Sequence, residues 1–107
     1  MPKPPQLTPE QRTAALAKAA EARRARAALK ERLKMGAITL SELFERAADD
    51  DIVGKMKMLA VLESLPGVGK VKARRTMEEI EISETRRIRG VGKQQRESLL
   101  AAFPDQA

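Results

Sequence analysis

The sequence predicts an all-α fold: one long basic N-terminal helix, then a small helical core built around two tandem glycine hairpin turns. Three observations predict it. From Pro9 to Met35 the chain is rich in Ala and has neither Gly nor a further Pro, so helix propensity stays high over many turns. Beyond Gly36, apolar residues recur near the helical period rather than in strict alternation. Two Gly-Val-Gly-Lys strings each follow one such stretch and precede another.

Residues 1–8, with three prolines between Met1 and Leu7, read as an extended lead-in. Thr8-Pro9-Glu10-Gln11 is a helix start, with Thr8 as N-cap, Pro9 in the first turn and Gln11 closing a capping box. The long helix occupies residues 9–36, and Gly36 is its natural stop. Its large apolar residues are few (Leu16, Leu29, Leu33 and Met35), and three of them lie in the last two turns. It should therefore pack only through its C-terminal end, leaving the rest in solvent. The helix also carries eight cations, so two readings stand: a solvated Ala-rich arm, or a second phosphate-contacting surface with Arg23, Arg24, Arg26 and Lys30 as candidates.

The core spans residues 37–103, with 104–107 as a tail. Thr39-Leu40-Ser41-Glu42 is a second capping box, opening a short helix to about Ala48 with Leu40, Leu43 and Phe44 inward. Asp49, Asp50 and Asp51 form a break, and one of them can cap the next helix. Their side chains fan out, and no Glu sits at calcium-loop spacing, so they are not read as a metal site. Ile52 to Leu65 then reads as one helix. After the first glycine turn comes a helix from Lys70 to about Ile80, with Val71, Ala73, Met77 and Ile80 on one side. After the second comes Lys93 to Phe103, facing inward with Leu99, Leu100 and Phe103. The remaining methionines are gap-filling core.

Composition narrows the function. The 107 residues hold 21 Lys plus Arg against 15 Asp plus Glu, a net charge of +6, and an isoelectric point near 10.1. Such a balance predicts an anionic partner, nucleic acid first. No apolar run approaches the roughly 18 residues of a membrane span, and residues 1–10 lack the apolar core of a signal peptide. Cys and His are absent, which removes disulfides, thiol ligands and the commonest metal ligand and general base; no cofactor, metal or catalytic residue is expected. The reading is a cytoplasmic chain. Only two aromatic residues, Phe44 and Phe103, are present, too few for the stacking platforms of single-strand binders.

The chemistry lies in the repeat. Leu65-Pro66-Gly67-Val68-Gly69-Lys70 recurs 23 positions later as Ile88-Arg89-Gly90-Val91-Gly92-Lys93. Gly-apolar-Gly between helices is a helix-hairpin-helix pattern. The glycines admit backbone angles closed to other residues, and bare N–H groups at the following helix start face outward, where the helix dipole favours an anion. The valine turns inward and locks the helices. Helix starts ordinarily favour acids, yet here one holds Lys70, Lys72, Arg74 and Arg75 and the other Lys93 and Arg96, with no acid before Glu78 or Glu97. Arg86, Arg87 and Arg89 add a cluster ahead of the second turn. An external phosphate reconciles these choices, and it is held without reading bases. A P-loop does not fit, since Ser64 and Arg87 stand where glycines are needed and Val71 and Gln94 where Ser or Thr is needed. A base-excising enzyme would need a pocket and a catalytic Asp or Lys, for which this core is too small.

These strings, with Gly54-Lys55-Met56-Lys57 and Leu62-Glu63-Ser64 before them, closely resemble the actinobacterial (mycobacterial and Streptomyces-type) integration host factor family from about Asp51 to Phe103. The resemblance implies a helix-two-turns-helix core and a nucleoid-associated protein that binds double-stranded DNA with little sequence preference, alters its shape and assists compaction. It implies phage integrase at attachment sites as a further partner, and no membrane or small-molecule substrate. It also implies that the first turn, here Ser64, Leu65, Pro66, Gly67, Val68, Gly69, Lys70 and Val71, with Lys72 just beyond, grips the DNA backbone. The second segment, Ile82 to Gln94, would close over the DNA as a lid, with Ile82, Ser83, Thr85, Arg86, Arg87, Arg89, Gly90, Val91, Gly92, Lys93 and Gln94 as its contact candidates. Structured RNA is the alternative ligand, because the same turns would hold an A-form backbone.

Overall fold

The computed structural model describes residues 7–104; most of the expected lead-in and tail lies outside them. In order come α1 (Pro9–Lys34), α2 (Leu40–Ala47), α3 (Asp51–Gly54), α4 (Met58–Ser64), α5 (Gly69–Ile80), a single 3-10 turn (Ile88–Gly90) and α6 (Lys93–Ala102).

The start of α1 is the expected capping box: Gln11 N–H donates to Thr8 Oγ1 (3.1 Å), and Thr8 N–H donates to Gln11 Oε1 (3.0 Å). Its 26 residues run to about 39 Å at 1.5 Å per residue, yet only Leu29 and Leu33 are buried, against α3 and α4. Leu16 is exposed. So is Met35, expected with the packed end; it caps the helix, and the chain turns away at Gly36 with φ +71°. The projecting helix gives a radius of gyration of 16.2 Å, against about 13 Å for a compact chain of 100 residues.

Only half of the second capping box forms. Thr39 Oγ1 accepts from Glu42 N–H (3.1 Å), but the Glu42 carboxylate accepts from the Thr39 hydroxyl (3.2 Å) instead of its backbone. Asp50 caps α3 by accepting from Ile52 N–H (2.9 Å).

The single helix expected from Ile52 to Leu65 is two helices. Between them Met56–Met58 is clasped antiparallel to Arg86–Ile88: Met58 N–H donates to Arg86 C=O and Ile88 N–H to Met56 C=O, both at 2.9 Å. An extended chain alternates its side chains, so Met56 and Met58 enter the core while Lys55 and Lys57 face out.

The short α4 is the hub, with α1 on one side and α5 on another. Met58, Val61 and Leu62 are fully buried with Ala73 and Met77 of α5 and Leu99 of α6. Val71, expected on that inward side, is 72% exposed. At about 100° per residue it points nearly opposite to Ala73. Thr76 takes the inward place, its hydroxyl donating to Lys72 C=O (2.8 Å). The C-terminus of α5 turns at Glu81 in the left-handed region (φ +64°), and Ile82 N–H donates back to Met77 C=O (2.8 Å). This reversal drops Ile82 into the core and launches the second turn.

Candidate nucleic-acid interface

The helix starts fall into two groups. Those of α1, α2 and α3 each carry an N-cap side chain bonded to the first turn and an acid in that turn; those of α4, α5 and α6 have no such N-cap side-chain bond and no acid there. Self-neutralisation thus stops where the core's turns begin.

The first turn has the expected backbone. Gly67 and Gly69 sit at φ +74° and +71°, and a Cβ on either would meet nothing within 4 Å. The backbone here is open to an approaching oxygen. Val68 is buried between them, as are Leu65 and Ser64, whose hydroxyl donates to Ala60 C=O (2.8 Å). These three side chains shape the turn from beneath, while Pro66, Gly67, Gly69 and Lys70 form its exposed rim. Lys70, Arg74 and Arg75 line a shallow depression with Val71 and Glu78. Arg74 approaches Glu84 at 3.8 Å, both side chains more than half exposed, so the pair neutralises little. Lys72 leans instead over the ring of the buried Phe103, 5.7 Å from its centroid. Gly67→Val should lower stability by about 1–2 kcal/mol, because a side chain at positive φ is strained whatever the room around it. Equilibrium urea unfolding checks this.

The second Gly-Val-Gly does not repeat the first. Neither Gly90 nor Gly92 has positive φ. Gly92 is extended and its N–H is occupied by Gln95 Oε1 (3.0 Å). Gly90 lies beneath the Arg86 side chain, whose Cδ would be 2.9 Å from a Cβ there. The clasp to Met56–Met58 holds the preceding chain extended, so the same string takes a different path. Ile88 is buried, Val91 packs on the core edge, and Lys93 and Gln94 are exposed. The exposed Ser83 and Thr85 hydroxyls bond one another (2.9 Å).

The three arginines have three different environments. Arg86 Nη1 donates to Gly90 C=O (3.2 Å), bracing the turn. Arg89 is a latch: Nη1 donates to Asp51 Oδ1 (2.9 Å) and Nη2 to Ala47 C=O (3.0 Å). Its guanidinium lies so close over Gly54 that a Cβ there would be 2.8 Å away. The hydrogen bond from Arg89, its charge and that of Lys55 hold the Asp51 carboxyl below its ordinary pKa. Arg87 alone turns to a cleft of about 240 Å³, lined also by Arg26, Lys30, Lys55, Met56, Lys57 and Ala60. Two of the α1 candidates, Arg26 and Lys30, thus share this cleft with Arg87; Arg23 and Arg24 are exposed elsewhere on the helix. Lys55 and Lys57 were not among the expected contacts, although Gly54-Lys55-Met56-Lys57 alternates as an extended segment should.

The arrangement has close counterparts. The family model of the S13-like H2TH domain matches residues 33–103, beginning at the leucine that anchors α1. The integration host factor of Mycobacterium tuberculosis (strain H37Rv) is 59% identical over 99 residues, covering 92% of this chain and 94% of its own. The chain belongs to the integration host factor family. The integration host factor of Streptomyces coelicolor is 56% identical, with 92% of each chain covered. Among solved structures, that of sIHF bound to an 8-base-pair palindromic DNA superposes with a TM-score of 0.79 at 52% identity, covering 81% of this chain and 98% of that one. No described helix is long and apolar enough to cross a membrane.

Proposed function

We propose that this chain is an architectural, non-enzymatic protein of the bacterial nucleoid that binds double-stranded DNA through its phosphate backbone. It does so with little sequence preference and alters the shape of the duplex. The observation that carries the reading is the start of α5. Two left-handed glycines leave the turn bare, no side chain caps the helix, and Lys70 and Arg75 stand exposed beside it. A phosphate there gains backbone donors, the helix dipole and cationic side chains together. The family name and the DNA in the related structure support the same ligand. Exposed residues of the second segment, chiefly Ser83, Thr85, Arg87, Lys93 and Gln94, supply further backbone contacts. Through a reshaped duplex the protein assists compaction and the work of phage integrase at attachment sites.

Affinity for random duplex should fall with salt at a log–log slope near −0.9 for each phosphate neutralised. Lys70, Arg75 and Arg87 together give about −2.7 or steeper. Fluorescence anisotropy across a salt series measures it, with duplex RNA in parallel. A flat salt dependence, or tighter binding of duplex RNA than of DNA, rejects the reading.

A further inference from the structure

The cleft opposite the first turn has a chemistry of its own. Arg26, Lys30, Lys55, Lys57 and Arg87 surround about 240 Å³ with no acid among the lining residues. None of the five forms an ion pair among the described residues; Asp51 reaches Lys55 only as a neighbouring charge. The backbone that carries them is fixed. Arg26 is half-buried, and Lys30 follows the buried Leu29. Lys57 and Arg87 face each other across the two-bond clasp. Three separate stretches of chain thus bring like charges to one concavity, which is unfavourable unless something anionic fills it.

We propose that this cleft binds a short polyphosphate anion. Its volume lies below the roughly 300 Å³ at which pockets begin to enclose drug-sized molecules. Met56 and Ala60 are the only apolar residues of its lining, and no aromatic ring faces it, so no ring is provided to stack on a nucleobase. Five cations call for an anion carrying several charges in a small volume. One backbone phosphodiester brings a single charge, whereas condensed phosphates bring about one each in contact with one another. Two arginine forks among three lysine point charges suit a row of phosphoryl oxygens. The cleft and the glycine turn flank opposite ends of α4. Arg87 belongs both to the cleft and to the duplex-contacting segment, whereas Lys30 and Lys55 line the cleft and Lys70 does not, so the two readings are tested by different residues.

Calorimetric titration of the full chain with sodium tripolyphosphate, beside orthophosphate at equal ionic strength, tests it. One saturable tripolyphosphate site is expected, bound at least tenfold more tightly than orthophosphate. Lys30→Gln with Lys55→Gln should weaken it at least tenfold, while Lys70→Glu, outside the cleft, should leave it within about twofold. Both substituted lysines are exposed, and circular dichroism verifies that the variants fold. Absence of saturation, no preference over orthophosphate, or an equal loss in Lys70→Glu would overturn the proposal. Duplex titration of the same variants reports separately on the DNA reading.

Discussion

Lys70→Glu should weaken duplex binding about tenfold or more while making the folded protein more stable. The two effects have one cause. Lys70 is the second residue of α5, whose first turn holds no acid and no side-chain cap, so its charge opposes the helix dipole when no anion is bound. Glutamate there reverses that sign and should raise the unfolding free energy by about 0.3–1 kcal/mol. It also replaces a phosphate partner with a repelling charge, and a tenfold loss corresponds to about 1.4 kcal/mol. The log–log salt slope should become shallower by about one unit, as expected for one lost phosphate contact. Paired urea unfolding and anisotropy separate these effects. A variant that loses both stability and binding would mean that Lys70 serves the fold and not the ligand.

Leu33→Ala should cost about 2–5 kcal/mol, the range for truncating a fully buried leucine. Leu33 is 0% exposed, and a domain of this size has only about 5–15 kcal/mol in total. Besides Leu29 it is the only buried residue of α1. The loss should therefore fall first on the attachment of α1 to α3 and α4. The cleft wall made by Arg26 and Lys30 should loosen with it, while the first turn, built from α4 and α5, keeps its shape. Urea unfolding measures the stability, and amide exchange along α1 measures the release. A change below about 1 kcal/mol would show that α1 is not integral to the domain.

The parts of the fold legible in the sequence are those set by neighbours along the chain. The Thr8 and Asp50 caps, the stop at Gly36 and the left-handed first turn all arise from residues within four positions. The break between α3 and α4 was not legible, because it is made by Arg86–Ile88, some thirty residues away. Its local signs were Gly54 and the Lys-Met alternation after it, and the reason for Gly54, room for the Arg89 guanidinium, exists only in three dimensions. The same holds for the candidate interface. One string of residues marks both turns, but only the first keeps its glycines left-handed. Arg86, Arg87 and Arg89 read as equals in sequence, yet two are tied to backbone carbonyls and one faces the cleft. Lys55 and Lys57 could not be joined to Arg26 and Lys30 by any local pattern.

The clasp between Met56–Met58 and Arg86–Ile88 also bears on the order in which the molecule assembles. Closing a loop of about thirty residues costs on the order of 3 kcal/mol in chain entropy. Two backbone hydrogen bonds return only about 1–3 kcal/mol net. The second turn therefore stays docked through the burial of Ile88 and Ile82 and the Arg89 latch, all of which form together. The helices α4 and α5 meet across a connection of only a few residues and need no such closure. Assembly should run from the first turn to the second, and partial opening should run the other way. The second turn should then open as a cooperative unit while the first remains formed.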